Sequence, residues 1–148
     1  MRRNLSYRGI MTNSNLIFEY PTTIQEAQLD SFGHLNNAVY LQLFEFARWE
    51  FISSRGFGIE KIKETHTGPV ILAINIKYLK ELKARDKVVI KSQMQSFRPK
   101  IGELRQWIEN ENGEICCDAI LTLGFWDTQK RKLIHATNEW KEAIGIQI

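Results

Sequence analysis

The sequence predicts an α+β fold, an antiparallel β-sheet wrapped around one long central α-helix, and three features predict it. One helical segment, Ala38 to about Ser54, is apolar on almost every side. A single strand-like run precedes it. Long strand-like runs separated by tight turns follow it, and this order is that of a sheet laid over a helix. At 148 residues the chain has the size of one domain. A chain of that length buries roughly 70% of the surface its unfolded form exposes, so the core needs no metal or disulfide to hold it. The expected division is a flexible N-terminal arm over residues 1–14 and one domain over residues 15–148.

Leu16 to Ile24 mixes β-branched and aromatic residues and reads as the first strand. A polar stretch, Gln25 to His34, leads to Asn36-Asn37, and Asn is a favoured helix N-cap. The helix that follows carries Gln42, Glu45 and Arg48 as one narrow polar stripe; its remaining sides are apolar, so it is expected to be enclosed. Gly56 supplies a natural C′ residue. Beyond Gly68-Pro69, period-2 alternation places Val70, Leu72, Ile74, Ile76 and Tyr78 on one strand face. Lys87 to Phe97, residues 101–110 and Ile115 to Trp126 read as three further strands, with Asn112-Gly113 as a hairpin turn between the last two. A short terminal helix is expected from Asn138 to Ile144. Strands this long suit a sheet that continues across a homodimer, because a bare edge invites aggregation.

Composition excludes several functions. Eleven per cent aromatic residues and 43% hydrophobic residues argue for a packed core rather than disorder. The net charge of +3 comes from interleaved signs, as in Lys61-Ile62-Lys63-Glu64, not from the one-signed stripe that a nucleic-acid backbone favours. No nucleic-acid partner is expected. Cys116 and Cys117 are adjacent, so a regular strand would turn them to opposite faces as two reduced thiols. His34, His66 and His135 have no metal-ligand spacing. No segment approaches the roughly 20 apolar residues of a spanning helix, and the leader lacks a secretory apolar core. A cytoplasmic protein without membrane contact is expected.

The segment that carries chemistry is Asp30-Ser31-Phe32-Gly33-His34-Leu35-Asn36-Asn37-Ala38-Val39-Tyr40. It sets a carboxylate a few residues before a helix N-terminus, where free backbone N–H groups and a partial positive charge gather. Such donors can hold a polarised carbonyl oxygen while the carboxylate acts as base or nucleophile. The same residues also make an ordinary strand-to-helix loop, with Asp30 as a turn residue and Asn36 as a cap.

That segment, with Phe44-Glu45-Phe46-Ala47-Arg48 after it and Pro69-Val70-Ile71-Leu72 and Ile76-Lys77-Tyr78 beyond, resembles the 4-hydroxybenzoyl-CoA thioesterase family of hotdog-fold proteins. The resemblance extends from about Ile17 to Ile144. It implies hydrolysis of an acyl thioester of coenzyme A by a homodimer or homotetramer. Coenzyme A would enter as part of the substrate, with no separate cofactor and no metal. Asp30 falls on the family's catalytic aspartate. The backbone N–H near Asn37 falls on the group that polarises the carbonyl. His34, Asn36 and Tyr40 fall on positions that shape the pocket, with His34 either a general acid or a loop-holding residue. The turn Arg98-Pro99-Lys100 would contact the phosphates of coenzyme A or simply face water. Gln28 is a departure, since many relatives carry an acid there. A second hotdog branch uses a carboxylate about two turns into the helix, where Glu45 stands; the competing expectation is a structural pair with Arg48. Two alternative functions remain: a thioesterase acting on acyl-carrier protein, and a non-catalytic acyl-CoA sensor.

Overall fold

The computed structural model describes residues 14–147, so the expected arm lies, apart from Ser14, outside the described residues. In chain order the elements are β1 (Ile17–Thr23), a 3-10 turn (Glu26–Gln28), α1 (Asn37–Ser54), α2 (Ile59–Thr65), β2 (Thr67–Tyr78), β3 (Lys87–Phe97), β4 (Ile101–Asn110), β5 (Ile115–Asp127), β6 (Lys132–Leu133) and α3 (Asn138–Ala143). The strands form one antiparallel sheet in the order β1-β3-β4-β5-β2, with β6 against β5. This is the hotdog arrangement, a curled sheet packed on α1.

Strands β2 to β5 run 12, 11, 10 and 13 residues, against a usual length of about five or six. That length lets a single sheet curl over the whole of α1. Tyr40, Leu43, Phe44, Ala47, Phe51 and Ile52 form the helix face buried against it. Phe44 is wholly buried, and a side chain of that size contributes about 2–3 kcal/mol by leaving water. Trp140 of α3 stacks on Phe125 with ring centroids 5.1 Å apart and meets Phe57 edge-on at 5.1 Å, closing one end of the core.

Three departures from regular pleating correct the expected faces. Leu72 is an extra residue in β2, inserted between the pairs Ile71–Leu123 and Ala73–Thr122. A bulge of this kind shifts the alternation by one residue. Tyr78, Ile76, Ile74, Ile71 and Pro69 therefore oppose Cys117, Ala119, Leu121, Leu123 and Phe125 on the inner face, and Leu72 and Val70 fall out of the expected set. A second bulge leaves Cys116 between the pairs Ile108–Cys117 and Glu109–Ile115. Both cysteines are consequently buried, rather than divided between the two faces. Burial raises both thiol pKa values, that of Cys117 to about 12. The third bulge, at Gln95, interrupts β3.

Nor is α1 enclosed within one chain. Leu41, Phe46 and Trp49 remain 36%, 62% and 38% exposed on the side away from the sheet. The edge strand β2, exposed along most of Ile71 to Tyr78, leaves its outer hydrogen-bonding edge bare beside them. No helix among the described residues is long and apolar enough to cross a membrane.

Candidate active site

The loop between β1 and α1 is built by its own backbone. Leu29 and Leu35 form an isolated antiparallel bridge, and the Asp30 N–H donates to the His34 carbonyl at 2.8 Å. Gly33 turns the loop at φ +79°, a left-handed value that would strain other residues. The Asp30 side chain reinforces the turn, with Oδ1 accepting from the N–H of Phe32 at 2.9 Å and of His34 at 3.2 Å. Its other carboxylate oxygen has no partner among the described residues. Two further bonds moor the loop, from the Leu35 N–H to the Leu82 carbonyl at 2.7 Å and from the Asn36 N–H to the Gln28 carbonyl at 3.0 Å.

Asn36 then caps α1, its side chain accepting from the Ala38 N–H at 2.9 Å, while the Val39 N–H donates to the Asn36 carbonyl at 3.0 Å. The Asn37 N–H is left without an acceptor among the described residues. It sits at the positive end of an 18-residue helix. The arrangement thus offers a free carboxylate oxygen and a free amide donor on one short stretch of chain. That is the equipment for attack on a carbonyl held by the amide.

The cleft around this stretch has a volume of about 470 Å³, and the structure brings five expected residues into it: Asp30, His34, Asn36, Asn37 and Tyr40. His34 Nε2 lies 2.9 Å from Glu81 Oε2, which ties the loop to the segment after β2. Burial pushes the Tyr40 phenol up to about 12, so it stays protonated and cannot serve as a base near neutral pH. Sequence reasoning missed the opposite wall, Tyr78, Lys80 and Glu81. The Tyr78 hydroxyl donates to the Asn37 carbonyl at 2.9 Å, and its ring meets that of Tyr40 edge-on at 5.0 Å. Lys80 pairs with Glu114, and that hydrogen bond holds the ammonium pKa above its ordinary value. Only the long-range register of β2 brings these residues to the loop, although the alternation of Ile74, Ile76 and Tyr78 was a signal of which face they share.

Arg98 and Lys100 are not brought to this cleft. They occupy the β3–β4 turn, and the Phe125 N–H, opposite Pro69, donates to the Lys100 carbonyl. Along β2 that is nine residues from Tyr78, or about 30 Å at strand rise. The Glu45–Arg48 pair does not form either. Arg48 reaches inward, Nη1 donating to Gln106 Oε1 at 3.0 Å, and Gln106 Nε2 donates to the Phe44 carbonyl at 3.0 Å and Ser92 Oγ at 2.9 Å. Glu45 and Arg48 line a separate cavity beneath the second half of α1. Among the described residues, no group of three or more His, Cys, Asp or Glu side chains is placed to hold a metal.

A curled sheet packed on a long helix defines the hotdog fold, and the helix start offers a carboxylate and an unpaired amide. Comparison with known proteins agrees. Residues 24–145 match the family described as the thioesterase-like superfamily, and the chain belongs to it. It is 31% identical over 117 residues to the long-chain acyl-CoA thioesterase FadM of Escherichia coli, covering 78% of this chain and 88% of that protein. It is 30% identical over 76 residues to the chloroplastic acyl-acyl carrier protein thioesterase ATL3 of Arabidopsis thaliana; the match covers 51% of this chain and 40% of the plant protein. Among solved structures, YbaW, a probable thioesterase from Escherichia coli, superposes with a TM-score of 0.78 at 28% identity, over 86% of this chain and 96% of that one.

Proposed function

We propose that this protein is an acyl-CoA thioesterase of the 4-hydroxybenzoyl-CoA thioesterase family, with Asp30 at the reacting carbonyl. The observation that carries the reading is the unpaired Asn37 N–H at the start of α1, in a cleft also lined by Asp30, whose carboxylate has one uncommitted oxygen. The amide and the helix dipole stabilise the charge that develops on the thioester oxygen. The Asp30 carboxylate either removes a proton from the attacking water or adds to the carbonyl itself and is released by water in a second step. Either route consumes one water and yields the free acid and the thiol. Asn36 holds the helix start in place, His34 fixes the loop through Glu81, and Tyr40 packs against Tyr78 at the wall.

The similarity to FadM supports acyl-CoA as the substrate, and that to ATL3 keeps acyl-carrier protein as a second candidate thiol. A homodimer, or a homotetramer built from dimers, would cover the apolar side of α1 and the bare edge of β2. Arg98 and Lys100, distant from Asp30 in their own chain, would reach coenzyme A phosphates only in a neighbouring subunit's cleft, whereas Lys80 lines the cleft directly.

Thiol release from acyl-CoAs of graded chain length, followed on wild type, Asp30→Asn and Glu45→Gln, tests the assignment. Asp30→Asn is expected to lose at least about 10³-fold in kcat/KM while keeping its fold, since both the negative charge and the base are gone. Glu45→Gln is expected to stay within a few fold of wild type. A folded Asp30→Asn protein with full activity contradicts the reading. Tight acyl-CoA binding without release from any substrate moves it to a carrier-protein substrate or a sensor.

A further inference from the structure

Two cavities lie along α1, and they share no lining residue. One is the Asp30 cleft at the helix start. The other, about 230 Å³, lies under the second half of the helix and is walled by apolar side chains, among them Ile52, Met94, Leu104 and Leu123. The same two elements flank both. At the start of α1, Tyr40 and the Asn37 carbonyl meet Tyr78 of β2. Further along, Glu45 and Arg48 share the second cavity with Ile71 and Pro69 of β2. Because the Leu72 bulge resets the alternation, Ile76 and Ile74 lie on the inner face between these two ends. The distance from Asn37 to Arg48 is about 16 Å along the helix axis, within the reach of a medium or long acyl chain.

The second cavity is not purely apolar. Arg48 enters it half-buried, anchored by one N–H to Gln106, and no carboxylate among the described residues lies at ion-pair distance from it. Gln106 has no capacity to spare, because its amide is committed to the Phe44 carbonyl and Ser92. Trp140, a residue only 1% exposed, also lines this cavity, and its buried indole N–H has no acceptor among the described residues. Buried donors in native proteins are almost always satisfied, so a missing acceptor needs an explanation. An apolar chamber with two uncommitted donors suits a ligand that is mostly hydrocarbon and carries an oxygen. Glu45 shares the lining, and its carboxylate would repel a second anion. A neutral hydroxyl fits better, since it can accept from Arg48 or Trp140 and donate to Glu45.

We infer that this cavity receives the far end of a substrate acyl chain that carries a hydroxyl group, with Arg48 and Trp140 as the specificity-determining donors. The inference rests on the thioesterase reading above. It makes the chain a discriminator of oxygenated over plain hydrocarbon tails, because a buried donor left unpaired by a plain tail gains nothing from it.

The test compares ω-hydroxy acyl-CoAs with unsubstituted acyl-CoAs of the same length, across medium and long chains, on wild type, Trp140→Phe and Arg48→Met. The readout is the ratio of the two kcat/KM values within each protein, which does not depend on how much of a variant is folded. Wild type is expected to favour the hydroxylated chain by about tenfold or more at the length that fills the cavity, the value of one hydrogen bond to a charged group. Both variants are expected to bring the ratio toward one. Equal rates for the two series at every length in wild type, or a preference that neither variant reduces, would overturn the inference and leave the thioesterase reading standing. If wild type hydrolyses no acyl-CoA, that reading fails, and calorimetry with ω-hydroxy and plain fatty acids decides the cavity alone. Tighter hydroxy-acid binding that is lost in Trp140→Phe would support it; equal or absent binding would overturn it.

Discussion

The two ends of α1 are built by opposite means. At its start, a loop is held mostly by backbone hydrogen bonds within about ten residues of sequence, with Leu82 and Glu81 as the distant moorings, and its carboxylate lines an open cleft. Along its second half, side chains from α1, β3 and β4 meet through contacts that span the chain, with Gln106 and Ser92 buried and Arg48 half-buried among them. The start is mostly local and open to solvent; the far half is long-range and mostly apolar. A thioesterase that selects among acyl groups would use both, the start for the reaction common to all of them and the far cavity for the tail.

If that contrast holds, perturbing the far half should cost stability, and perturbing the start should cost activity. The largest expected stability loss is from Gln106→Ala. It leaves Arg48 and Ser92 without their buried partner and opens a void, at a cost of about 3 kcal/mol in chemical denaturation. A loss below 1 kcal/mol would show that the network is not fully buried in solution. Asn36→Ala removes only the side-chain cap at the helix start and should cost about 1 kcal/mol. Its larger consequence should appear in kcat, because the cap positions the Asn37 amide. Equal damage to stability from the two variants would break the comparison.

The smallest effect is one of pH. Burial raises the Tyr40 pKa from 10.0 to about 12, so between those values the native state keeps a proton that the unfolded chain loses. The Tyr40 contribution to stability is therefore full below pH 10 and is lost as pH rises toward 12. Tyr40→Phe should remove part of that slope in denaturation measured across this alkaline window. The Cys117 thiol, raised from 9.0 to about 12, acts in the same direction and leaves a residual slope.

The same contrast governs what could be read from the sequence. The loop that starts α1 was legible because its signals are local: an aspartate, a glycine that turns left-handed, a capping Asn and the onset of an apolar helix all lie in one window, while the roles proposed for them rest on the resemblance. The succession of elements along the chain and the Asn112-Gly113 hairpin were legible for the same reason, and Gly113 indeed adopts φ +74°. The far half was not. Gln106 takes its partners from residues 62 and 14 positions away, and no local pattern reports that. Arg48 was expected to turn to its neighbour Glu45, but it turns to Gln106, 58 residues distant. The bulge at Leu72 was invisible because Val70 to Ile74 are apolar on both faces, and that at Cys116 because Ile115, Cys116 and Cys117 are three apolar residues in a row, so alternation gave no sign of an inserted residue. The enclosure of α1 was expected from its composition, yet one chain covers only one side.

The most direct test of the central claim is a crystal structure with a thioether analogue of an acyl-CoA, in which the sulfur link cannot be cleaved and the ketone carbonyl stands for that of the thioester. The account predicts the carbonyl oxygen within hydrogen-bond distance of the Asn37 N–H, with the free oxygen of Asp30 facing the carbonyl carbon. A carbonyl seated beside Glu45, with Asp30 remote from it, would contradict the account and move the chemistry to the other half of the helix.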